Sequence, residues 1–319
     1  MTLLNNDQEN VENDSAEEAP RLSLRAAARS GPEPLRAADG LWRKVGHLLR
    51  RDVLGIAATT YLVLLLLTTV VGSFVLADSA RNTNLHLRFV PPLSTQYGWE
   101  YVLGSDALGR SFLAQLTVAA RTTLLISIGA VIAAAVVGAL IGTVVGYARG
   151  RLDKVAMRIA DVMLAFPSLL LALIVLYTLG AGLGSLILVL ALARIAMYTR
   201  VARAETLAVR ERVFIRASRA FGAGSLRIVC TQILPVIANP LVALATLEFA
   251  LVMLAESALS FLGLGVHEPD VTWGGLIAEG RNYLQHAWWI ALLPGLAITL
   301  TAIATNVLAE LVRKAAESE

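Results

Sequence analysis

Long uncharged apolar runs alternate with short polar stretches from residue 53 onward. A bilayer core is crossed by roughly 20 apolar residues in a helix. Val53–Ala77, Thr122–Ala148 and Ala287–Ala309 reach that length without a charge, and Pro235–Ala258 reaches it with Glu248 and Glu256 inside. The remaining apolar block, Val162–Ala193, is too long for one helix and too short for two, and the turn-like GAGLG at Gly180–Gly184 divides it. Two spans must then extend past its charged borders, over Val155–Leu179 and Ser185–Val201. The pattern predicts an all-α integral membrane protein with six transmembrane helices. Its segments are a tail (1–52), a first span (53–77), an outer stretch (78–121), a core with five spans (122–312) and a short end (313–319).

Charge sets the orientation, because lysine and arginine collect in cytoplasmic connections. With the amino terminus inside, only Arg81, Arg88, Arg110, Arg121 and Arg281 of the 27 basic residues face outward. Both termini are then cytoplasmic. In the tail, NNDQENVENDSAEEAP (Asn5–Pro20) is acidic and nearly free of large apolar residues, and GPEP (Gly31–Pro34) interrupts the basic stretch between it and the first span. Disorder is expected there. The first span starts too far from Met1, and runs too long, for a cleaved signal peptide.

A composition of 56% hydrophobic and 16% charged residues agrees with the membrane class. The single Cys230 rules out an internal disulfide, and four scattered histidines offer no metal-ligand spacing. The net charge of +3 could suit nucleic acid, but the basic residues flank apolar spans, where topology accounts for them. A phosphate-binding loop needs Gly-Lys-Ser/Thr, and each lysine has the wrong successor: Lys44-Val45, Lys154-Val155 and Lys314-Ala315. Nucleophile elbows and His-Glu-x-x-His pairs are absent as well. No catalytic site and no cofactor are expected, so energy from ATP would have to come from another polypeptide.

Between the fourth and fifth spans lies RVFIRASRAFGAGSLRIVCTQILP, Arg212–Pro235. On a helical wheel Val213, Phe214, Ala217, Ala220 and Phe221 share one side, with Arg212, Arg216 and Arg219 on the other. Gly222 and Gly224 should stop this short helix, Ser225 should cap a second one through about Gln232, and Pro235 should begin span five. Taken alone, such a helix also suits an anionic lipid surface.

Arg-Ala-Ser-Arg-Ala-Phe-Gly-Ala-Gly with Ile233-Leu234-Pro235 resembles the cytoplasmic "EAA" loop of permease subunits in bacterial ABC importers. Ala217, Gly222, Leu234 and Pro235 match; Arg216 replaces the glutamate and Ser218 the second alanine. LGSDALGR (Leu103–Arg110), Asp153 with MRIAD (Met157–Asp161) and Pro167, LSFLGLG (Leu259–Gly265) and Trp273-Gly274 resemble the dipeptide, oligopeptide and nickel branch. The long outer stretch fits its "C"-type subunit. Ser111 stands where that branch usually has aspartate, and Asn306–Glu310 where it tends to have Gly-Asp. The resemblance covers about Tyr101 to Val312. It implies a type I ABC importer permease fold in the bacterial inner membrane, and ATPase coupling through a loop at 203–235. Coupling would involve Glu205, Arg212, Phe214, Arg216, Ala217, Ser218, Arg219, Phe221, Gly222, Leu234 and Pro235. The implied partners are a second permease, two ATPase subunits and an extracytoplasmic substrate-binding protein. The implied substrates are di- or oligopeptides, with nickel, glutathione or another small solute as the alternative. An ion-coupled carrier would need no such loop.

Ionised groups inside spans seldom face lipid. Glu248 and Glu256, with Ser260 and Phe261, are candidates for the translocation pathway or its gate, against interhelical bonding as the rival role. Asp161 and Arg194 should lie at similar depth in spans three and four, which predicts a buried pair. The glycines Gly129, Gly138, Gly142 and Gly146 have the small-xxx-small spacing of close helix packing within one subunit.

Overall fold

The computed structural model describes residues 43, 45–50, 52–267 and 269–317; the expected disordered stretches at 5–20 and 31–34 lie outside them. The described residues form one compact unit. Its helices are α1 (Val53–Val75), α2 (Phe112–Ala148), α3 (Arg151–Ala165), α4 (Ser168–Leu179) and α5 (Leu183–Arg210). They continue with α6 (Val213–Ala220), α7 (Ser225–Ile228), α8 (Leu234–Phe261), α9 (Trp273–Gly280) and α10 (Trp289–Glu317). Among the described residues, five helical stretches are long and apolar enough to cross a bilayer: α1, α2, α5, Ser225–Phe261 and α10.

The sixth crossing is broken. α3 and α4 meet at 91°, because Pro167 lacks an N–H and forces Phe166 out of the helical region, to φ −77°, ψ 133°. This corrects the straight span expected over Val155–Leu179. The pair still crosses as a unit. Along α2, Gly129 approaches Ile187, Gly138 approaches Tyr198, and Gly146 approaches Thr206 on α5. Positions rise together on both helices, so α2 and α5 run parallel, and the chain between them must cross the bilayer once.

The glycine stripe is what permits this contact. A Cβ added at Gly142 would lie 2.4 Å from the Thr199 carbonyl oxygen, and one at Gly138 2.5 Å from Tyr198 Cβ. The stripe therefore packs within the subunit, as its spacing suggests. At the far end of the chain, Val45 packs with Val312 and Ala315, which puts the start of α1 and the end of α10 on one face. The elbow α6–α7 lies on that same face, since Arg212 at its start shares a groove with Glu310 and Arg313 of α10, and Arg149 at the end of α2 bonds Glu211 beside it at 2.7 Å. On the opposite face, α2 begins at Phe112, ten positions before the apolar run at Thr122. Ser111 caps it, accepting from Ala114 N at 3.2 Å.

Candidate functional site

The elbow between α5 and α8 begins with α6, which is closed as glycine chemistry predicts. Gly222 sits at φ +82°, and the N–H groups of Gly222 and Ala223 return to the carbonyls of Arg219 and Ser218 at 2.9 and 3.0 Å. The second helix departs from expectation in two ways. Ser225 is its first helical residue and makes no capping bond, Gly224 holding the cap position. Nor does the helix stop near Gln232; a π-helical stretch, Val229–Ile233, joins it without a break to α8.

Ile215 and Ile228 are fully buried and belong to the same core as Val209, Tyr198, Ile233 and Ile237. Phe214 packs against that core. Ser218 Oγ accepts from Gln232 Nε2 at 3.0 Å, tying the two arms of the elbow. Arg219 and Arg210 lie over the Tyr147 ring at 4.9 and 5.5 Å, and Arg210 also donates to the Tyr147 carbonyl. These contacts fasten the elbow to the ends of α2 and α5. The other side is bare: Phe221 is 91% exposed, Leu226 78% and Val213 73%, and Arg212, Arg216 and Ala217 are exposed with them. Most of the apolar side of the wheel thus points away from the chain's own core, and the inward anchors are Ile215 and Ile228. Leu234 and Pro235 begin α8, half-buried. Glu205 lies one turn before the end of α5, half-buried.

The expected pair of Asp161 and Arg194 does not form. Asp161 lies on the exposed face of α3 and bonds Arg200 at 2.6 Å, while Arg194 reaches Glu248 at 3.3 Å. The break at Pro167 explains the error, because it turns α3 away from the course of α4 and removes Asp161 from the depth of Arg194. Asp153 bonds Arg203 through two nitrogens, so two ion pairs clasp α3 to α5. Sequence reasoning missed Arg200 and Arg203, although their spacing, three residues on one helix face, was available.

Glu248 is 5% exposed, and the fully buried Tyr198, one turn from Arg194 on α5, belongs to the same polar cluster. Glu256 is wholly buried and accepts from Ser260 Oγ at 2.6 Å and Ser257 Oγ at 3.3 Å. Gly274 of α9 packs onto Ser257 and Ser260, where an added Cβ would meet backbone atoms at 2.5 Å. Glu256 and Ser260 thus lie where α9 packs onto α8, buried within the chain. Phe261 is 37% exposed, with Arg281 over its ring at 5.3 Å.

On the face opposite the elbow, LGSDALGR is a knot around Asp106. This fully buried carboxylate accepts from Arg110 Nε and Gln115 Nε2, both at 2.6 Å, and from two backbone N–H groups. Gly104 and Gly109 take φ of +84° and +72°, and a Cβ on Gly109 would lie 1.8 Å from the Asn84 carbonyl oxygen. Trp289 Nε1 donates to the Ser105 carbonyl at 3.0 Å, fastening the knot to α10. Burial, then Glu100 and Asp106 nearby, pushes the Tyr101 phenol above its ordinary range.

Six crossings, an elbow anchored in their shared core and a bare apolar face on that elbow define a multi-pass, all-helical membrane protein. Residues 138–318 match the family described as "Binding-protein-dependent transport system inner membrane component", and the chain belongs to that family. It is 37% identical over 264 residues to a putative peptide transport system permease protein of Brucella suis, covering 83% of this chain and 87% of that protein. It is 38% identical over 215 residues to the di/tripeptide transport system permease protein DppC of Pseudomonas aeruginosa, covering 67% and 71%. With the dipeptide transport system permease protein DppC of Escherichia coli it shares 33% over 287 residues, 90% and 94% of the two chains. The chain is thus an inner-membrane, multi-pass permease of an ABC transport system, a transport subunit and not itself an ATPase. It works with a binding protein and ATPase partners.

Proposed function

We propose that this permease forms half of a passage for di- or oligopeptides, completed by a second permease, and that the elbow seats in a cleft of one of two ATPase subunits. The elbow face is cytoplasmic, as are both termini, and the Asp106 knot faces an extracytoplasmic binding protein. The basic residues support this orientation, because they concentrate at the elbow face. The named functions of the relatives support peptides as substrate.

The observation that carries the docking role is Phe221, Leu226 and Val213, bare on a helix pair whose other side is locked into the transmembrane core by Ile215 and Ile228. Apolar side chains so exposed at a membrane protein's aqueous end call for a partner surface. A displacement of that face would carry α2, α5 and α8 with it, since all three share its core. Motion follows ATP only if the docked contacts differ between the two ATPase states.

Co-purification tests the docking. Phe221→Asp with Leu226→Asp should leave the permease in the membrane yet lose the ATPase subunits and peptide uptake together; retention of both would refute it. Gly222→Pro, which cannot adopt φ +82°, and Ala217→Trp on the exposed face should likewise abolish uptake without preventing membrane insertion.

A further inference from the structure

Glu248 and Glu256 are both buried within the chain, and the polar side chains that open on a surface groove lie elsewhere. On the elbow face, a groove of about 930 Å³ runs between the start of α8 and the last third of α10. Its size lies in the range of roughly 300–1,000 Å³ that small-molecule sites occupy. Glu205 and Arg212 border it from the junction of α5 and α6, and Glu310 and Arg313 from the end of α10. Two amides stand in its wall, Asn239 on α8 and Asn306 on α10, beside the apolar Leu244 and Leu247.

Polar side chains within membrane spans rarely face lipid, since nothing there meets their hydrogen bonds. Asn239 is largely buried and Asn306 exposed, yet both open on this one groove. The wall carries a backbone acceptor as well. Pro240 has no N–H to offer the Val236 carbonyl, and both residues line the groove. A side-chain amide presents donors and an acceptor, as a peptide bond does. The border carries two carboxylates and two guanidiniums, Arg313 already bonding Glu310 at 2.7 Å. With balanced signs, such a border favours neither a free dication nor an oxyanion. It suits a solute with one charge of each sign at its ends and amides between.

We propose that this groove is the cytoplasmic half of the passage, with Asn239 and Asn306 hydrogen-bonding the backbone of the passing peptide and the balanced border accommodating its charged ends. The proposal rests on the reading of the chain as a peptide permease.

The test uses the complete importer in proteoliposomes, with radiolabelled alanyl-alanine as solute. Asn239→Leu and Asn306→Leu should each slow uptake about tenfold, the loss of roughly one hydrogen bond. The half-saturating peptide concentration should not change, because the groove acts after capture. Asn306→Gln should restore most of the rate. In a Cys230→Ser background, Asn306→Cys should react with a charged, membrane-impermeant methanethiosulfonate reagent added on the ATPase side, and peptide in transit should slow that reaction, which tests the groove even where a leucine variant assembles poorly. A wild-type importer that moves no peptide sinks the peptide reading itself. Peptide import with both leucine variants at the wild-type rate, or an Asn306→Cys that resists the charged reagent, overturns the groove.

Discussion

At the scale of single residues, the ion pair between Arg194 and Glu248 governs how stable the middle of the bundle is. Glu248 has 6% of its side chain exposed and Arg194 26%, so removing the arginine leaves a carboxylate in an apolar site with little water to receive it. Breaking a fully buried pair costs roughly 3–5 kcal/mol, and the partial exposure of Arg194 places this one at about 2–3. Arg194→Leu should lower the thermal midpoint of the detergent-solubilised protein, and adding Glu248→Gln should recover most of the loss, since a neutral amide removes the stranded charge. Strictly additive losses in the double variant would mean the two side chains do not depend on each other. Both members were visible in the sequence as charges inside apolar runs. What was not visible was the pairing, because sequence gives depth along a helix only when the helix is straight, and Pro167 breaks the one that carries Asp161. An inward, bonded role for Glu256 was one of the two readings open from sequence; the cover from Gly274 was not legible, because it depends on how α9 folds back onto α8.

At the scale of helices, the contact between α2 and α5 depends on glycines and not on interdigitated large side chains. Lipid tails are as apolar as leucine, so association inside the bilayer relies on close backbone approach and van der Waals packing. Gly142→Leu would drive a side chain into the Thr199 carbonyl and Ala202 Cβ, which an added Cβ already meets at 2.4 and 2.8 Å. Nothing flexible lies in its way to yield. Gly142→Leu should therefore prevent accumulation of folded permease in the membrane, whereas Gly295→Leu on α10, where an added Cβ meets nothing within 4 Å, should be tolerated. Immunoblotting of membrane fractions reads both; equal amounts of the two variants would show that the stripe is not a packing device. This contact was legible from the spacing of Gly138, Gly142 and Gly146 alone. Its partner helix was not, because small-xxx-small spacing says that a neighbour comes close without saying which one.

At the scale of the molecule, the question is how movement at the elbow reaches the passage. α7, the π-helical stretch Val229–Ile233 and α8 form one continuous helical rod from Ser225 to Phe261, whereas proline and glycine chemistry around Pro235 suggested a helix followed by a separate span. Proline in the first turn of α8 loses no helical bond that the π turn has not already rearranged. The rod places the docking face at one end, Asn239 and Pro240 along its middle and Glu256 near its far end, so a tilt at the elbow is carried to the groove wall by a single helical stretch. Softening the rod should then separate hydrolysis from transport. Thr231→Gly with Gln232→Gly weakens the helix by about 1 kcal/mol per glycine and removes the Gln232–Ser218 tie, yet leaves Phe221, Leu226 and Val213 in place to dock. The complex should still co-purify with its ATPase subunits and hydrolyse ATP, while peptide uptake per ATP falls severalfold. Two glycines at Ile132 and Val136, exposed positions on α2, remove comparable helix propensity without touching the rod and should keep that ratio unchanged. If both double variants lose uptake to the same degree, helix weakening in general is responsible and the rod carries no special load. If neither does, the elbow moves the passage through α2 and α5, by way of Tyr147 and its two arginines, and α8 merely follows.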